Sequence, residues 1–289
     1  MSQVFKSIAI IGKFMNPSAL QQMQTDLADL ARHLISKNIN VWIEQNTAIH
    51  AELTGFKTAP LEKIGKKVDL AIVMGGDGTM LSVARTLIFD NIPLVGINRG
   101  RFGFLTDLRA EHMFSAIDQI LSGAHFRESR ILVHATVCRA GKSIHQGVAL
   151  NDVVIKSGMR LIEIQVEIDG KFVHKQRSDG LIITTPTGTT AYALSAGGPI
   201  LHPNVEGITL VPISPHTLSN RPITVNSASN ITVKLIQTDE ANVTFDGQFQ
   251  LSLEPGDKII IKRAEQTISL LHPSDYCYFD MLRNKLNWG

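Results

Sequence analysis

A glycine-rich turn at residues 75–79, GGDGT, lies between two apolar segments of different periodicity. The segment before it, 68–74, is short and rich in β-branched residues, which is typical of a buried strand. The segment after it, 80–88, has apolar residues every three or four positions, as on one face of a helix. A turn that joins a buried strand to a helix indicates a parallel sheet covered by helices, with binding sites beyond the carboxyl ends of the strands.

The rest of the chain falls into two kinds of pattern. Up to about residue 100, predicted strands alternate with predicted helices. From about residue 125, short β-rich runs take over, and the dipeptides Asp169-Gly170 and Asp246-Gly247 indicate hairpin turns between them. We therefore predict an α/β N-terminal domain with a parallel sheet and a mostly antiparallel β C-terminal domain, which makes a two-domain protein that is α+β overall.

The change of pattern also predicts the domain boundaries. Residues 1–108 form the α/β domain that carries the GGDGT turn, and residues 109–274 form the β-rich domain. The tail, 275–289, is again helix-like, and we expect it to pack back on the first domain.

Composition restricts the class of protein. Hydrophobic residues make up 44% of the 289 residues and charged residues 19%, so a large core is feasible and disorder is disfavoured. The net charge of +2 gives no reason to expect nucleic acid or an anionic membrane as a partner. Cys138 and Cys277 form no CxxC pair, and no segment has the roughly 20 apolar residues of a membrane span. We expect a cytoplasmic protein.

Histidine spacing gives no support for a metal site. The ten histidines never occur as HxH or HExxH. His202, His216 and His272 each stand near prolines or glycines, and we interpret them as loop histidines. No metal site made by protein side chains alone is therefore predicted.

The GGDGT turn predicts a site for phosphate. Gly75, Gly76, Gly78 and Thr79 supply a backbone that a ligand can approach closely and amides at the start of a helix, which attract phosphate. A carboxylate at Asp77 would repel phosphate unless it binds a metal or accepts a proton, which indicates phosphoryl transfer. The alternative is that Asp77 merely caps the helix. Thr79 is, however, a natural N-cap, so the sequence predicts that Asp77 is free for another role.

Two polar segments of the β-rich domain suggest contacts with a nucleotide. Asn151-Asp152 stands at the start of an apolar strand, where both side chains could accept hydrogen bonds from sugar hydroxyls, although such a pair is as often a simple turn. Residues 177–199 combine hydroxyls and glycines with one aromatic ring, Tyr192, which offers a face to a base. A solvated threonine-rich loop is the alternative. Segment 98–105 is interpreted as a tight connection, with Phe102 and Phe104 packed inward.

Taken together and in order, these motifs resemble bacterial NAD kinases over most of the chain. The motifs that carry the resemblance are GGDGT at 75–79, the glycines and Phe-Leu of 98–105, Asn151-Asp152, 178–181, the segment that begins with 185–188 and ends with 198–199, 221–223 and 246–248. GGDGT alone is shared with diacylglycerol and sphingosine kinases and, in shorter form, with phosphofructokinase. The Asn-Asp pair and the threonine-glycine region narrow the choice.

The resemblance implies transfer of the γ-phosphoryl group of ATP to the 2′-hydroxyl of the adenosine ribose of NAD, giving NADP. It implies that Asp77 accepts the proton and that ATP brings a divalent cation, Mg²⁺ or Mn²⁺. NAD is expected between the two domains of a homo-oligomer, a dimer or tetramer, in which a neighbouring subunit completes the site. The implied NAD-binding residues are Asp77, Gly78, Asn151, Asp152, Arg160, Arg177, Asp179, Thr190, Ala191, Tyr192, Ala193, Leu194, Ser195 and Gln248.

Other functions remain open on the sequence. A lipid kinase would share GGDGT, but neither a basic amphipathic helix nor a lipidation motif is present. A sugar-phosphate kinase would need cationic clusters near the motifs, and none is evident. A non-catalytic dinucleotide sensor would keep segment 190–195 and have no need of Asp77.

Overall fold

The computed structural model describes residues 5–12, 17–100, 103–158, 160–217 and 219–288. It divides into two units. The first comprises residues 1–129 and 268–289, and the second comprises residues 130–267. The domain boundaries predicted from the sequence, after residue 108 and before residue 275, stay a prediction.

The first unit has a parallel sheet with strand order β5-β4-β1-β2-β3. Its elements, in chain order, are β1 (Ser7–Gly12), α1 (Pro17–Ser36), β2 (Asn40–Glu44), α2 (Gln45–His50), β3 (Lys57–Ala59), α3 (Leu61–Ile64), β4 (Leu70–Met74), α4 (Asp77–Leu87), β5 (Leu94–Asn98), β6 (Leu108–Arg109) and α5 (Met113–Leu121). Strand β6 pairs with β5 in parallel. All residues of β4 and β5 are buried, as expected for central strands of a parallel sheet.

The GGDGT turn joins β4 to α4 as predicted, but the helix begins earlier than expected. Its first residue is Asp77, and Gly76 is the N-cap. The amide of Thr79 donates to the carbonyl oxygen of Gly76 at 2.9 Å. The prediction that Thr79 caps this helix is therefore wrong, because the extended backbone of Gly76 (φ −102°, ψ −179°) already opens the helix three residues before it.

The second unit is built from antiparallel strands. In chain order, its elements are β7 (His125–Arg139, which begins in the first unit), β8 (Lys142–Ala149), β9 (Asp152–Ser157), β10 (Ile162–Ile168), β11 (Lys171–Ser178), β12 (Gly180–Thr184), α6 (Tyr192–Ser195), β13 (Gly207–Ile213), β14 (Ile223–Asn226), β15 (Ile231–Gln237), β16 (Ala241–Phe245), β17 (Phe249–Leu253) and β18 (Lys258–Pro273, which ends in the first unit). The chain continues into α7 (Tyr278–Leu286) of the first unit.

Two sheets of this unit share one apolar core. Strands β14-β13-β12-β9-β16-β17 form one sheet, and β11-β10-β15 with the first residues of β18 form the other. Alternate residues such as Ile155 and Val243 of the first sheet, and Ile164 and Val233 of the second, are fully buried in one cluster. The predicted fold class, an α/β domain followed by a mostly antiparallel β domain, is confirmed.

Both predicted hairpin turns are present. Asp169 and Gly170 have φ angles of 51° and 74° between β10 and β11, and Asp246 and Gly247 have 51° and 64° between β16 and β17. Positive φ at both positions is the conformation that favours Asp-Gly in tight hairpins. In the part of the chain that the structure describes, no helix is long and apolar enough to cross a membrane.

Candidate active site

The carboxylate of Asp77 is held by the loop that follows β5. Its Oδ1 accepts hydrogen bonds from the amide of Leu105 at 2.9 Å and from the amide and hydroxyl of Thr106, each at 3.2 Å. Its Oδ2 accepts one from the amide of Phe104 at 2.8 Å. Hydrogen bonds to an ionised acceptor are the strong ones, so this loop fixes the orientation of the carboxylate. We call the amides of residues 104–106 the Asp77 cradle.

Two glycines allow the loop to come this close. A Cβ at Gly103 would lie 2.0 Å from Oδ1 of Asp77. A Cβ at Gly96, in β5, would lie 2.4 Å from the carbonyl oxygen of Leu105. Either side chain would displace the cradle. The side chain of Asn98, at the end of β5, adds a hydrogen bond from Nδ2 to Oγ1 of Thr106 at 3.0 Å.

The function of segment 98–105 differs from the sequence interpretation. Phe102 lies outside the described residues, and Phe104 is half-buried, with the Lys285 ammonium group 5.7 Å from its ring centroid. Inward packing of Phe104 was expected to explain the segment. Its main contribution in the structure is instead the backbone amide that Phe104 presents to Asp77.

The remaining residues of the GGDGT turn have two roles. Gly75 donates its amide to the carbonyl oxygen of Ile97 at 2.9 Å, and a Cβ on it would lie 2.7 Å from Oγ1 of Thr79. Thr79 is buried, so these two residues attach the turn to the sheet. Gly76 and Gly78 are exposed and form the accessible surface of the turn.

In the second unit, Asp246 holds the turn before β9 in a similar way. Its Oδ1 accepts hydrogen bonds from the amides of Asn151 at 2.7 Å and Asp152 at 3.2 Å, and its Oδ2 accepts one from Leu150 at 3.1 Å. Asp246 is buried and lies in the hairpin between β16 and β17. A buried carboxylate therefore fixes the position of the Asn-Asp pair.

Threonines hold the carbonyl groups of the same turn. Oγ1 of Thr184 donates to the carbonyl oxygen of Asn151 at 3.0 Å, and Oγ1 of Thr185 donates to that of Leu150 at 2.5 Å. Gly188 packs against the turn, since a Cβ there would lie 2.3 Å from the carbonyl oxygen of Asn151. Residues 181–189 are all buried. The alternative of a solvated loop is therefore wrong for this part of the threonine-rich region.

Asp152 is a buried acid beside a second buried acid. Removal from water, and then the charge of Asp246, raise the pKa of Asp152 to about 7. The carboxyl group of Asp152 therefore titrates near neutral pH and can both donate and accept hydrogen bonds there. A perturbed acid that lines a cavity is a candidate functional group.

A cavity of about 330 Å³ lies beside this turn. Its lining includes four of the predicted site residues, and the full set is Asn151, Asp152, Val154, Lys156, Ala191, Tyr192, Thr244, Asp246 and Gly247. Its volume is in the range of small-ligand sites. An amide, a carboxyl group, an ammonium group and an aromatic ring around one space suit a ligand that carries both hydroxyls and a ring.

Segment 190–195 divides between surface and core. Ala193 is buried in an apolar cluster, and Leu194 is half-buried. Oγ1 of Thr190 donates to the carbonyl oxygen of Thr187 at 3.3 Å, and Ser195 is exposed. Of the six predicted residues in this segment, the structure places Ala191 and Tyr192 on the wall of the cavity.

Other predicted residues surround a second cavity of about 440 Å³. Arg160, Arg177 and Asp179 line it, and none of its lining residues lines the first cavity. Arg160 forms an exposed ion pair with Asp239 at 3.0 Å. Gln248 is exposed in the β16–β17 hairpin and lines neither cavity. The structure thus separates the predicted residues of the second unit into distinct groups.

Among the candidate metal ligands and the histidines, one prediction from the sequence is wrong. Among the residues that the structure describes, no group of three or more His, Cys, Asp or Glu side chains could hold a metal ion. His272 was predicted to be a loop histidine, and this prediction is wrong. It is a buried residue near the end of β18. Its imidazole is paired with Asp107, which explains why the ring is inside the first unit.

Several site residues were not identified from the sequence. Gly103 and Thr106 surround Asp77, and Lys156 and Asp246 belong to the cavity of the second unit. Asp246-Gly247 carried the signal of a hairpin turn and, with Gln248, formed one motif of the family resemblance, but neither indicated that Asp246 accepts hydrogen bonds from the turn before β9. The acceptor function of Asp246 depends on amides about 95 positions away, which no local pattern reveals.

Comparison with known proteins identifies the family. Residues 8–125 match the model of the ATP-NAD kinase N-terminal domain, and residues 150–272 match that of the ATP-NAD kinase C-terminal domain. The NAD kinase of Thiobacillus denitrificans is 48% identical over 287 residues, with 99% of this chain and 98% of the relative covered. The NAD kinase of Aromatoleum aromaticum is 47% identical over 292 residues, with coverage of 100% and 96%.

Solved structures have the same fold. Yeast NADH kinase complexed with NADH superposes with a TM-score of 0.88 at 24% identity, covering 98% of this chain and 88% of that chain. An NAD kinase from Archaeoglobus fulgidus in complex with ATP superposes with a TM-score of 0.77 at 24% identity, covering 97% and 98%. The resemblance predicted from the motifs is confirmed: both domain models match, and relatives are nearly half identical over the full length, so the chain belongs to the NAD kinase family.

Proposed function

We propose that Asp77 accepts the proton of the attacking hydroxyl when this kinase transfers the γ-phosphoryl group of ATP to the 2′-hydroxyl of the adenosine ribose of NAD, producing NADP. The observation that carries the proposal is the uneven use of the two carboxylate oxygens. Oδ1 accepts three hydrogen bonds and Oδ2 accepts one within the described residues. Oδ2 therefore keeps acceptor capacity for a substrate hydroxyl.

A fixed carboxylate suits this reaction better than a mobile one. A ribose hydroxyl is a far weaker acid than a carboxylic acid, so Asp77 does not deprotonate it in advance. The proton leaves late, as the bond to phosphorus forms, and the rate depends on alignment of the hydroxyl with the γ-phosphorus. The cradle holds the acceptor oxygen in one place while this alignment is reached.

We assign NAD binding first to the cavity of the second unit. Asn151 and Asp152 would accept hydrogen bonds from the ligand, and the ring of Tyr192 would pack against a base. Lys156, on the same wall, is the cation available for a negatively charged group of the ligand. The other predicted residues of 190–195 belong to the same proposal, and Ser195 is exposed.

Arg160, Arg177 and Asp179 require a separate explanation because they line the other cavity of this unit. We propose that they contact the dinucleotide bound to a neighbouring subunit of a homo-oligomer. Their exposure supports this proposal, since both arginines are on the surface of the single chain. Gln248, also exposed, belongs to the same proposal.

ATP is proposed to bind at the GGDGT turn with a divalent cation. Gly76 and Gly78 are the exposed backbone of this turn, and the start of α4 favours phosphate. Mg²⁺ is usually held by one or two carboxylates together with substrate phosphates, and the carboxylate oxygen that could contact it here is Oδ2 of Asp77. Because Oδ2 is also the oxygen proposed to accept the proton, a cation on Oδ2 is the alternative role of Asp77, and the substrate phosphates supply the other contacts to the cation. When bound, the cation neutralises charge on the phosphates.

A cytoplasmic location of the protein also remains a prediction.

The test is a coupled assay with purified protein. ATP, Mg²⁺ and NAD are incubated with the wild type or Asp77→Asn, and NADP is measured with a strictly NADP-dependent dehydrogenase. General-base assistance is typically worth about 10²–10⁴-fold, and we expect the variant to lose at least that much turnover. NAD binding, measured by calorimetry, should persist. Unchanged turnover would remove Asp77 from catalysis, and binding without NADP formation by the wild type would indicate a dinucleotide sensor.

A further inference from the structure

We propose that His272, through its ion pair with Asp107, is a positioning residue for Asp77. The inference rests on the proposed role of Asp77 and extends it to groups that touch neither NAD nor ATP. Its basis is a cluster of charged and aromatic side chains in the first unit, in which the buried side chains of His272, Asp107 and Glu128 lie beside the half-buried Tyr276 and the exposed Phe126.

The imidazole of His272 is enclosed by these side chains. Nδ1 lies 2.7 Å from Oδ2 of Asp107, and Nε2 lies 3.5 Å from Oε2 of Glu128. The ring stacks on Tyr276 with centroids 3.9 Å apart and an interplanar angle of 14°. His272 is 1% exposed. The histidine therefore has one close hydrogen-bonded partner and one orientation.

Asp107 connects this cluster directly to the cradle. It follows Thr106, whose amide and hydroxyl both donate to Asp77. On the other side, Leu108 pairs with Ile97 in β6 and β5. The Asp107–His272 pair thus fixes the residue at which the chain leaves the cradle, and it does so from β18, which is distant in sequence.

Stability alone is a poor explanation for such a cluster. Burying two carboxylates and an imidazole costs solvation, and a buried ion pair is often no more stabilising than apolar side chains of equal volume. Oδ1 of Asp107 is buried and has no hydrogen-bond partner within the described residues, which adds to the cost. What the Asp107–His272 pair does provide is a fixed direction for the Asp107 side chain.

A pair of substitutions at His272 separates positioning from stability. In His272→Asn, the side-chain amide replaces the Nδ1 edge and can still donate to Asp107, whereas in His272→Gln it reaches the position of Nε2, toward Glu128. Both changes remove the stacked ring and should lower the melting temperature similarly. We expect His272→Gln to lower kcat by about 10- to 100-fold, because misplacement by about 1 Å has effects of this size. His272→Asn should stay within about 3-fold of the wild type.

KM for NAD and for ATP should change little in both variants, since the proposal gives the buried His272 no contact with either substrate. Equal kcat values for the two variants, whether both low or both normal, would overturn the inference. If the histidine variants give too little folded protein, Asp107→Asn and Glu128→Gln are compared instead. Both convert a carboxylate beside the same imidazole to an amide, and the change at Asp107 alone should lower kcat.

A double-mutant cycle tests the route of the effect. If His272 acts through Asp77, adding His272→Gln to Asp77→Asn should lower kcat by less than about 2-fold further. Multiplicative losses would contradict the inference. Asp118→Asn is the control for loss of a carboxylate–histidine pair in the same unit. Asp118 pairs with His33 at 2.8 Å, and this substitution should leave kcat unchanged.

The two proposals fail in different ways. Normal turnover by Asp77→Asn would refute the proposed function itself. Loss of turnover by Asp77→Asn together with normal turnover by His272→Gln would refute the positioning role of His272 and leave the proposed function intact.

Discussion

Gly103 and Asp77 are so close that no side chain fits at residue 103: a Cβ there would lie 2.0 Å from Oδ1 of Asp77. The two residues are 26 positions apart in the chain. Glycine at 103 is therefore a requirement of the carboxylate, not of the turn, because the φ angle of Gly103 is not among the positive values that demand glycine.

We predict that Gly103→Ala lowers kcat by about 100-fold or more, because the methyl group must displace the carboxylate or the cradle. The measurement is the coupled NADP assay together with a melting curve. Gly100→Ala is the matched control, since among the described residues, chain neighbours aside, no atom lies within 4 Å of a Cβ at that position. Comparable kcat values for the two variants would show that the cradle tolerates displacement.

The second prediction concerns Asp246, which accepts hydrogen bonds from three consecutive amides. Asp246→Asn turns one acceptor oxygen into a donor that faces these amides, so the turn that carries Asn151 and Asp152 should shift. We expect KM for NAD to rise by about 10-fold or more, corresponding to the loss of at least one hydrogen bond to a charged group.

The matched control for Asp246→Asn is Asp169→Asn. Asp169 occupies the same position of an Asp-Gly hairpin, has the same φ of 51° and accepts a hydrogen bond from the amide of Asn230 at 2.8 Å. Because Asp169 lines neither cavity of the second unit, this change should leave KM for NAD unchanged. A similar rise in both variants would indicate a general effect of altered hairpins.

A third prediction follows from the raised pKa of Asp152. The folded state holds the Asp152 proton up to about pH 7, whereas the unfolded chain releases it near pH 4. Between these values the folded state binds more protons, so the free energy of unfolding falls as pH rises. Asp152→Asn removes this loss, so between pH 4 and pH 7 its free energy of unfolding should rise relative to that of the wild type by up to about 4 kcal/mol.

Urea denaturation at several pH values measures this difference. Asp239→Asn, at a carboxylate that is 63% exposed, is the control and should follow the wild type. A constant difference between Asp152→Asn and the wild type over pH 4–7 would contradict the prediction.

The fourth prediction concerns His272 and has a different pH window. Burial acts to lower the pKa of His272, but its contacts with Asp107 and Glu128 outweigh burial and raise the pKa. A raised pKa contributes stability that is complete below the unfolded value of about 6.5 and is lost as pH rises through the folded value. The stability advantage of the wild type over His272→Gln should therefore shrink above pH 6.5. An advantage independent of pH would mean that folding leaves the pKa of His272 unchanged, and the prediction would be wrong.

The sequence was sufficient to predict the features that depend on residues close together in the chain. The strand and helix around GGDGT follow from apolar periodicity, and the hairpins at Asp169 and Asp246 follow from the preference of Asp-Gly for positive φ. The family followed because several such motifs occur in one order.

What could not be predicted depends on backbone groups brought together over long distances. Asp77 meets amides 27 to 29 positions away, and an amide has no side-chain signature in the sequence. The partners of His272 are equally distant, with Asp107 lying 165 positions away. The isolated spacing of this histidine therefore gave no indication of a buried ion pair.

Strand β18 gives the chain a particular order of assembly. Residues 268–289 belong to the first unit but leave the ribosome after the whole second unit. During synthesis the first unit therefore lacks its last segment, which includes His272, at a stage when the second unit already has its complete sequence. A nascent chain stalled before residue 268 should consequently expose the unfinished edge of the first sheet at Leu94, which is the residue that Leu270 later covers.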